Sequence, residues 1–385
     1  LGEGLEAGPG AVLANLGVYN PETRSLELNQ AVNLSTRSGY RFETPSATIQ
    51  LPESRIVGEE PVYGELYLPR KFKVGFVLPP VNDVDIYGQD LGYIAVVDNG
   101  DLIGFNVCVG GGMGQLDNRE DSYPRLAEEI GFIEADEAPA FAELVMSIQR
   151  DFGDRQDRHR ARFKYTLDRL GLPWFLEELE CHRGRPLEPA RGVRFDHNGD
   201  RLGWQQGDDG LWHATLYVES GRVDDALRTQ LGGFLEQYGG RLRLTTNQNL
   251  QLTHIETHEL EQVQWRLEDL GLDWRLDPEA QAAHTLSCVA LPTCGLAMAE
   301  AERYLPTFLE RFQRLKAQYG LREEPITLRL TGCPNGCARP YLAEIALTGR
   351  APGLYNLYLG GSFHGDRLAQ LYAGNVDEER FLALL

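Results

Sequence analysis

Four cysteines in two spaced pairs are the residues of this chain best placed to do chemistry. Cys288 and Cys294 stand in S-C-V-A-L-P-T-C-G, and Cys333 and Cys337 in T-G-C-P-N-G-C-A-R, with 38 residues between the pairs. Thiolates at these spacings, flanked by glycines that allow tight turns, can grip an iron-sulfur cluster. Zinc takes the same soft ligands, although structural zinc sites commonly use tighter knuckles. A disulfide framework is the third reading. It suits small secreted chains better than 385 residues carrying six cysteines.

The second feature is a pair of lysines. Among 37 basic residues only Lys71, Lys73, Lys164 and Lys316 are lysine, and the first two lie in L-P-R-K-F-K-V-G-F-V-L. The alternation predicts a strand over Lys71–Leu78, in which positions i and i+2 share a face. Two adjacent ammoniums repel unless an anion lies between them. The other reading is an edge strand that lysines protect from further pairing.

Composition narrows the setting. A chain of this length, 42% hydrophobic and 24% charged, holds two or three globular domains. Its formal charge of −20 argues against a nucleic-acid partner, which would need clustered cations. No apolar stretch reaches membrane-spanning length, and the first residues lack the pattern of a secretory signal. The expected location is cytoplasmic, where thiols stay reduced.

Several elements are needed to position these residues. Strands are predicted over Tyr93–Val97 and Leu102–Val109, the latter running into the turn Gly110–Gly114. Helices are predicted over Pro139–Asp151 and Arg158–Leu170. Trp212–Glu219 and Arg241–Leu252 read as strands, and Val223–Tyr238 and Leu260–Leu270 as helices, a β-α-β-α run of ferredoxin-like type. Ala297–Gly320 reads as largely helical and Ile326–Thr331 as a strand entering the second cysteine pair. The segments Gly104–Gly114 and Leu354–Gly365 both read as a strand ending in a glycine turn. They suggest a duplicated α/β unit, one copy carrying lysines and the other thiolates, with a shared pocket between them.

More of the chain then falls into a pattern. Y-L-P-R-K-F-K at residues 67–73, G-F-N at 104–106 with the glycine turn, Gln149-Arg150-Asp151 with Asp157-Arg158, Lys164-Tyr165, T-N-Q-N-L at 246–250, A-M-A-E-A-E-R at 297–303 and both cysteine motifs resemble the siroheme nitrite/sulfite reductase family, its assimilatory sulfite-reducing members above all. The resemblance implies an α+β fold of duplicated nitrite/sulfite reductase α/β lobes plus a ferredoxin-like half-domain. Its divisions would be 1–45 unassigned, 46–199 the first lobe on the anion and siroheme side, 200–275 the half-domain, and 276–385 the second lobe with the cysteines.

By the same resemblance, Cys288, Cys294, Cys333 and Cys337 ligate a 4Fe-4S cluster, and Cys337 also bridges to siroheme. Lys71 and Lys73 bind the oxyanion and help deliver protons. Asn247, Gln248 and Asn249 contact the tetrapyrrole, or else form an ordinary turn. Arg150 and Lys164, from a basic stretch that includes Arg155, Arg158, Arg160 and Arg162, pair with siroheme carboxylates. The implied reaction is six-electron reduction of sulfite to sulfide in sulfate assimilation. Nitrite reduction, or a truncated and non-catalytic cluster-binding fragment, is the alternative. The family also carries an N-terminal part with the other ferredoxin-like half, which residues 1–45 do not supply. Electrons would come from a separate flavoprotein subunit or ferredoxin, because Gln115 occupies the place of the last glycine in a dinucleotide-binding turn.

Overall fold

A computed structural model describes residues 62–385 apart from 118, 120, 208, 239–240 and 278–280. Before residue 62 it describes four short strands, Gly17–Asn20 pairing with Ser25–Leu28 and Arg41–Glu43 pairing with Thr48–Gln50.

The first lobe is a four-stranded sheet in sequential order: β1 (Val74–Val77), β2 (Leu91–Asp98), β3 (Asp101–Val109) and β4 (Glu128–Glu134). β1 and β2 are parallel and the remaining neighbours antiparallel. An Asn99-Gly100 turn, both residues at positive φ, joins β2 to β3, as that dipeptide favours in hairpins. One face packs on α1 (Ala138–Phe152), α2 (Phe163–Leu170) and α3 (Leu172–Arg183), with Tyr93, Val107, Val145, Ile148 and Phe175 at the centre of that core. Ile86, Ile94 and Cys108 fill a second core.

Two expectations change here. Lys71 and Lys73 precede the edge strand instead of lying in it, because pairing with β2 begins only at Val74. Phe72 still turns inward onto Phe163, which leaves its two lysine neighbours on the other side. The helix expected over Arg158–Leu170 is also broken. Arg158–Arg160 forms a 3-10 turn, and Arg162 is extended with ψ 148° before α2 begins. Its guanidinium is held by Asp90, 72 residues away, so a tertiary ion pair overrides local helix preference.

The half-domain is an antiparallel sheet, β5 (Gly203–Gln206), β6 (Trp212–Leu216), β7 (Arg241–Leu244) and β8 (Leu250–Ile255), in the order β5-β6-β8-β7. Helices α4 (Asp225–Tyr238) and α5 (Leu260–Asp269) cover it through Leu227, Leu231, Val263 and Leu267. The single strand expected over Arg241–Leu252 is a hairpin. Thr245 Oγ1 accepts the N–H groups of Asn247 and Asn249, and Gln248 sits at φ 69°, so the chain reverses there.

The second lobe contains β9 (Thr285–Ser287), α6 (Leu305–Gln318), β10 (Leu328–Thr331), β11 (Ile345–Ala351), β12 (Leu354–Leu359), β13 (Gln370–Val376) and α7 (Glu378–Leu384). β9, β10 and β11 are parallel, while β12 and β13 add antiparallel. The helix expected from Ala297 starts only at Leu305. Residues 297–304 wrap the second cysteine strand instead, the N–H groups of Met298 and Ala299 both donating to the Gly332 carbonyl.

Duplication is written into the backbone. β1 to β4 and β10 to β13 follow the same order and directions, and each first strand leads into a thirteen-residue loop, 78–90 and 332–344. Both loops pass through a left-handed residue, Asp85 at φ 49° and Arg339 at φ 52°, into a 3-10 turn. β3 and β12 each end at a glycine of positive φ, Gly110 at 83° and Gly360 at 86°, whose N–H donates to the carbonyls of Asp90 and Glu344. The equivalence also corrects the sequence pairing. Cys337 matches Asp83, and Lys73 matches Thr327, so the thiolates and ammoniums do not occupy corresponding places.

The two equivalent loops meet at Asp85. Its carboxylate receives Arg329 at 2.7 Å, with both side chains 3% exposed or less, and also receives the Nε of Arg339. Burial pushes Asp85 up, but the two guanidiniums outweigh it and hold the carboxyl well below the usual range. Asp85→Asn is expected to cost about 3–5 kcal/mol by leaving buried guanidinium charge uncompensated, read as a lower midpoint in urea. The folded pKa lies below the ordinary value of 3.8, so this contribution is complete above that pH and is lost as pH falls further. Acid denaturation of the variant should lack the corresponding loss.

Candidate functional site

The cysteines come from one lobe and two loops. Cys288 follows β9 directly, its N–H donating to Leu330 O, and Cys294 closes a turn onto Ala290 O. Cys333 and Cys337 lie in the loop after β10. The sulfur of Cys288 accepts the Gly332 N–H at 3.2 Å and the Thr331 hydroxyl at 3.5 Å. All six cysteines are free thiols, which removes the disulfide reading. Burial raises the Cys333 thiol, and the other three cysteines of the set push the same way. Burial likewise raises Cys337, with Cys288 and Cys294 adding to it and Lys71 and Lys73 opposing. The four sulfurs are thus within mutual electrostatic reach. Among the described residues no three His, Cys, Asp or Glu side chains converge on a single-ion centre. Four thiols gathered in this way are a donor set that an iron-sulfur cluster takes.

The lysines stand beside this set. Lys73 is exposed by surface area, yet loss of hydration is the first cause lowering its pKa to about 8, followed by repulsion from Arg162 and Lys71. Both observations hold if the ammonium lines a concavity that solvent enters while protein surrounds it. Cys337 has the same double character. Arg339 is a further cation felt by Lys73. Lys71, Lys73, Arg162 and Arg339 therefore gather positive charge next to a thiol in a strongly acidic protein, an arrangement suited to a polycarboxylate or an oxyanion.

The glycine turn joins the lobes at this place. Gly111 lies so close to Tyr87 and Gln89 that a Cβ would come within 2.4 Å of a backbone oxygen. Gln115 N–H donates to Pro334 O, and a Cβ on Gly114 would approach the Asn335 oxygen at 3.1 Å, which seats the turn on the second cysteine motif. Lys164 holds the turn from behind. Its side chain is 1% exposed, and its ammonium donates to the carbonyls of Gly112 at 3.2 Å, Gly114 at 2.8 Å and Tyr123. Burial lowers its pKa to about 7.

The remaining sequence candidates have structural commitments. Asn247 Nδ2 donates to Asp83 O at 2.8 Å and to Asp200 at 2.9 Å, and Asn249 Nδ2 donates to Asp200 at 2.9 Å. Gln248 Nε2 reaches Ser287 O at 3.0 Å, one residue before Cys288. These amides tie the half-domain to both lobes. Arg150 engages the Asp151 carboxylate at 2.7 and 2.9 Å and Val62 O at 2.7 Å, while Arg155 takes Leu66 O and Tyr67 O, so both anchor the segment leading to the lysines. Arg339 could have been found from its place in C-P-N-G-C-A-R. Asp90 gave no signal.

Family models cover the lysine lobe and the half-domain, the four cysteines lying outside both matched ranges. Residues 50–187 match the nitrite and sulphite reductase 4Fe-4S domain, and residues 204–270 match the nitrite/sulfite reductase ferredoxin-like half domain. The sulfite reductase (NADPH) hemoprotein beta-component of Afipia carboxidovorans is 50% identical over 345 residues, which is 89% of this chain and 59% of that protein. Its counterpart from Nitrosomonas europaea is 46% identical over 376 residues, 96% of this chain and 65% of the relative. The chain thus spans about three fifths of the length of these curated relatives. Among solved structures, that of the Mycobacterium tuberculosis NirA protein superposes with a TM-score of 0.66 at 26% identity, over 80% of this chain and 56% of that one.

Lys164→Met should strand carbonyls at the glycine turn and cost about 2–3 kcal/mol. Thermal unfolding measures the loss, and faster amide exchange at Gly110–Gly114 locates it.

Proposed function

We propose that this chain, which belongs to the nitrite and sulfite reductase family, forms the sulfite-reducing part of a siroheme and 4Fe-4S enzyme. What supports the reading most directly is Cys337, which lies within electrostatic reach both of the three other cysteines of its set and of Lys71 and Lys73. Cys288, Cys294, Cys333 and Cys337 would hold the cluster, Cys337 also reaching siroheme. When bound there, the two groups supply the metal that takes sulfite and the store from which six electrons reach its sulfur.

The chain's own residues do the rest. Lys71, Lys73, Arg162 and Arg339 offset the charge of the anion and of the macrocycle's carboxylates. Lys73, with a pKa of about 8, is mostly protonated at neutral pH and can pass a proton to a departing oxygen. The Gly110–Gly114 turn, steadied by Lys164, closes one wall against the second cysteine motif. Arg150, Asn247, Gln248 and Asn249 hold the segments that carry these groups. A separate flavoprotein or ferredoxin would deliver the electrons. Among the described residues no helix is long and apolar enough to cross a membrane.

Anaerobically purified protein should contain about five iron, four in the cluster and one in siroheme, and about four acid-labile sulfide per chain, and show an intense Soret band. Cys337→Ser should lose the coupling between the two centres in its redox and magnetic spectra. Material with zinc in place of iron would end the reading. Sulfite turnover should fall as pH rises through about 8, where Lys73 loses its charge. Lys73→Met should lower the rate roughly 100-fold and remove that alkaline limb, and parallel assays with nitrite would identify the preferred anion.

A further inference from the structure

We propose that Asp90 is the positioning residue of the anion site, its carboxylate latching Lys73 through the backbone and Arg162 through the side chain so that both cations are held at one place. The inference rests on the reading of Lys71 and Lys73 as oxyanion-binding residues. Asp90 is fully buried. Its Oδ2 accepts the Lys73 N–H at 2.9 Å. Arg162 Nη2 donates to its two oxygens at 2.8 and 3.0 Å, with Nε at 3.3 Å from Oδ1. One carboxylate thus fixes two cations from segments 89 positions apart in sequence, 73 and 162.

The second lobe supplies an internal control. Glu344, the equivalent of Asp90, accepts the N–H of Thr327, the equivalent of Lys73, at 2.9 Å, and spends its remaining contact on the Thr327 hydroxyl at 3.2 Å. The carboxylate-to-backbone latch therefore belongs to the fold and is satisfied there with no cation. Only the first lobe places a lysine at the latched position and brings an arginine onto the same carboxylate, breaking a helix to do so. Asp90 is also the charge that offsets the crowding of Lys73 by Arg162, Lys71 and Arg339.

The holoprotein can be tested by amine-selective labelling of Lys73 across pH, read by mass spectrometry with and without sulfite. Asp90→Asn keeps an oxygen for the Lys73 N–H but removes the charge. The labelling midpoint is expected to move to lower pH, and sulfite protection of Lys73 to weaken roughly tenfold. Arg162→Gln retains Asp90 and removes a repelling cation, so its midpoint is expected to move to higher pH, which keeps the test open if the first variant does not fold. A folded variant of either kind with an unmoved midpoint overturns the proposal. Wild-type Lys73 that gains no protection from sulfite, while both midpoints shift as expected, leaves the latch standing and overturns the oxyanion reading alone.

Discussion

Burying the Asp85 carboxylate against Arg329 and Arg339 is the constraint on which the arrangement of the lobes depends. A charge with almost no access to water is tolerable only when opposite charge meets it directly, so the loop before β2 and the loop after β10 cannot part without a large penalty. Asn198 adds its amide to the same group, 3.4 Å from Asp85. Because Arg339 lies two residues beyond Cys337, the contact that holds the lobes together also fixes the second cysteine motif relative to the lysine wall. The half-domain joins the same knot through Asn247, whose oxygen lies 3.5 Å from Arg339 Nη2.

Around this junction the two lobes divide the work. They share strand order, loop length and the glycine that ends the third strand, yet one lobe provides thiols and the other provides ammoniums. Neither lobe brings both to this place, so a ligand that needs soft sulfur on one side and ammonium charge on the other is served where they meet. Lys164 and the glycine turn extend the second contact between them, with Gln115 reaching the Tyr341 hydroxyl at 2.6 Å.

Much of this was legible in the chain, and the reasons differ by element. The hairpin of β2 and β3 announces itself through an apolar run and Asn99-Gly100, α1 through Pro139 and its spacing, and the cysteine motifs through their intervals. What could not be read depends on partners distant in sequence. Arg162 interrupts a good helical pattern because Asp90 draws its side chain away. The 245–249 turn is open as one reading of that stretch, and Thr245 capping Asn247 and Asn249 decides it. Asn247 and Asn249 have the composition of ligand contacts, and their buried amides are directed to Asp83 and Asp200. Residues 297–304 have helical composition but follow Gly332, whose carbonyl claims two of their N–H groups.

Asp85 and Arg339 occupy matching positions in the two repeats and touch each other, which places them on the pseudo-twofold axis relating the lobes. In an ancestral homodimer with perfect symmetry, identical residues would face each other there, and two aspartates or two arginines would repel. Attraction at that point requires that the copies differ. Within one polypeptide each copy can carry its own residue at that point, so the contact between Asp85 and Arg339 makes the two halves non-interchangeable.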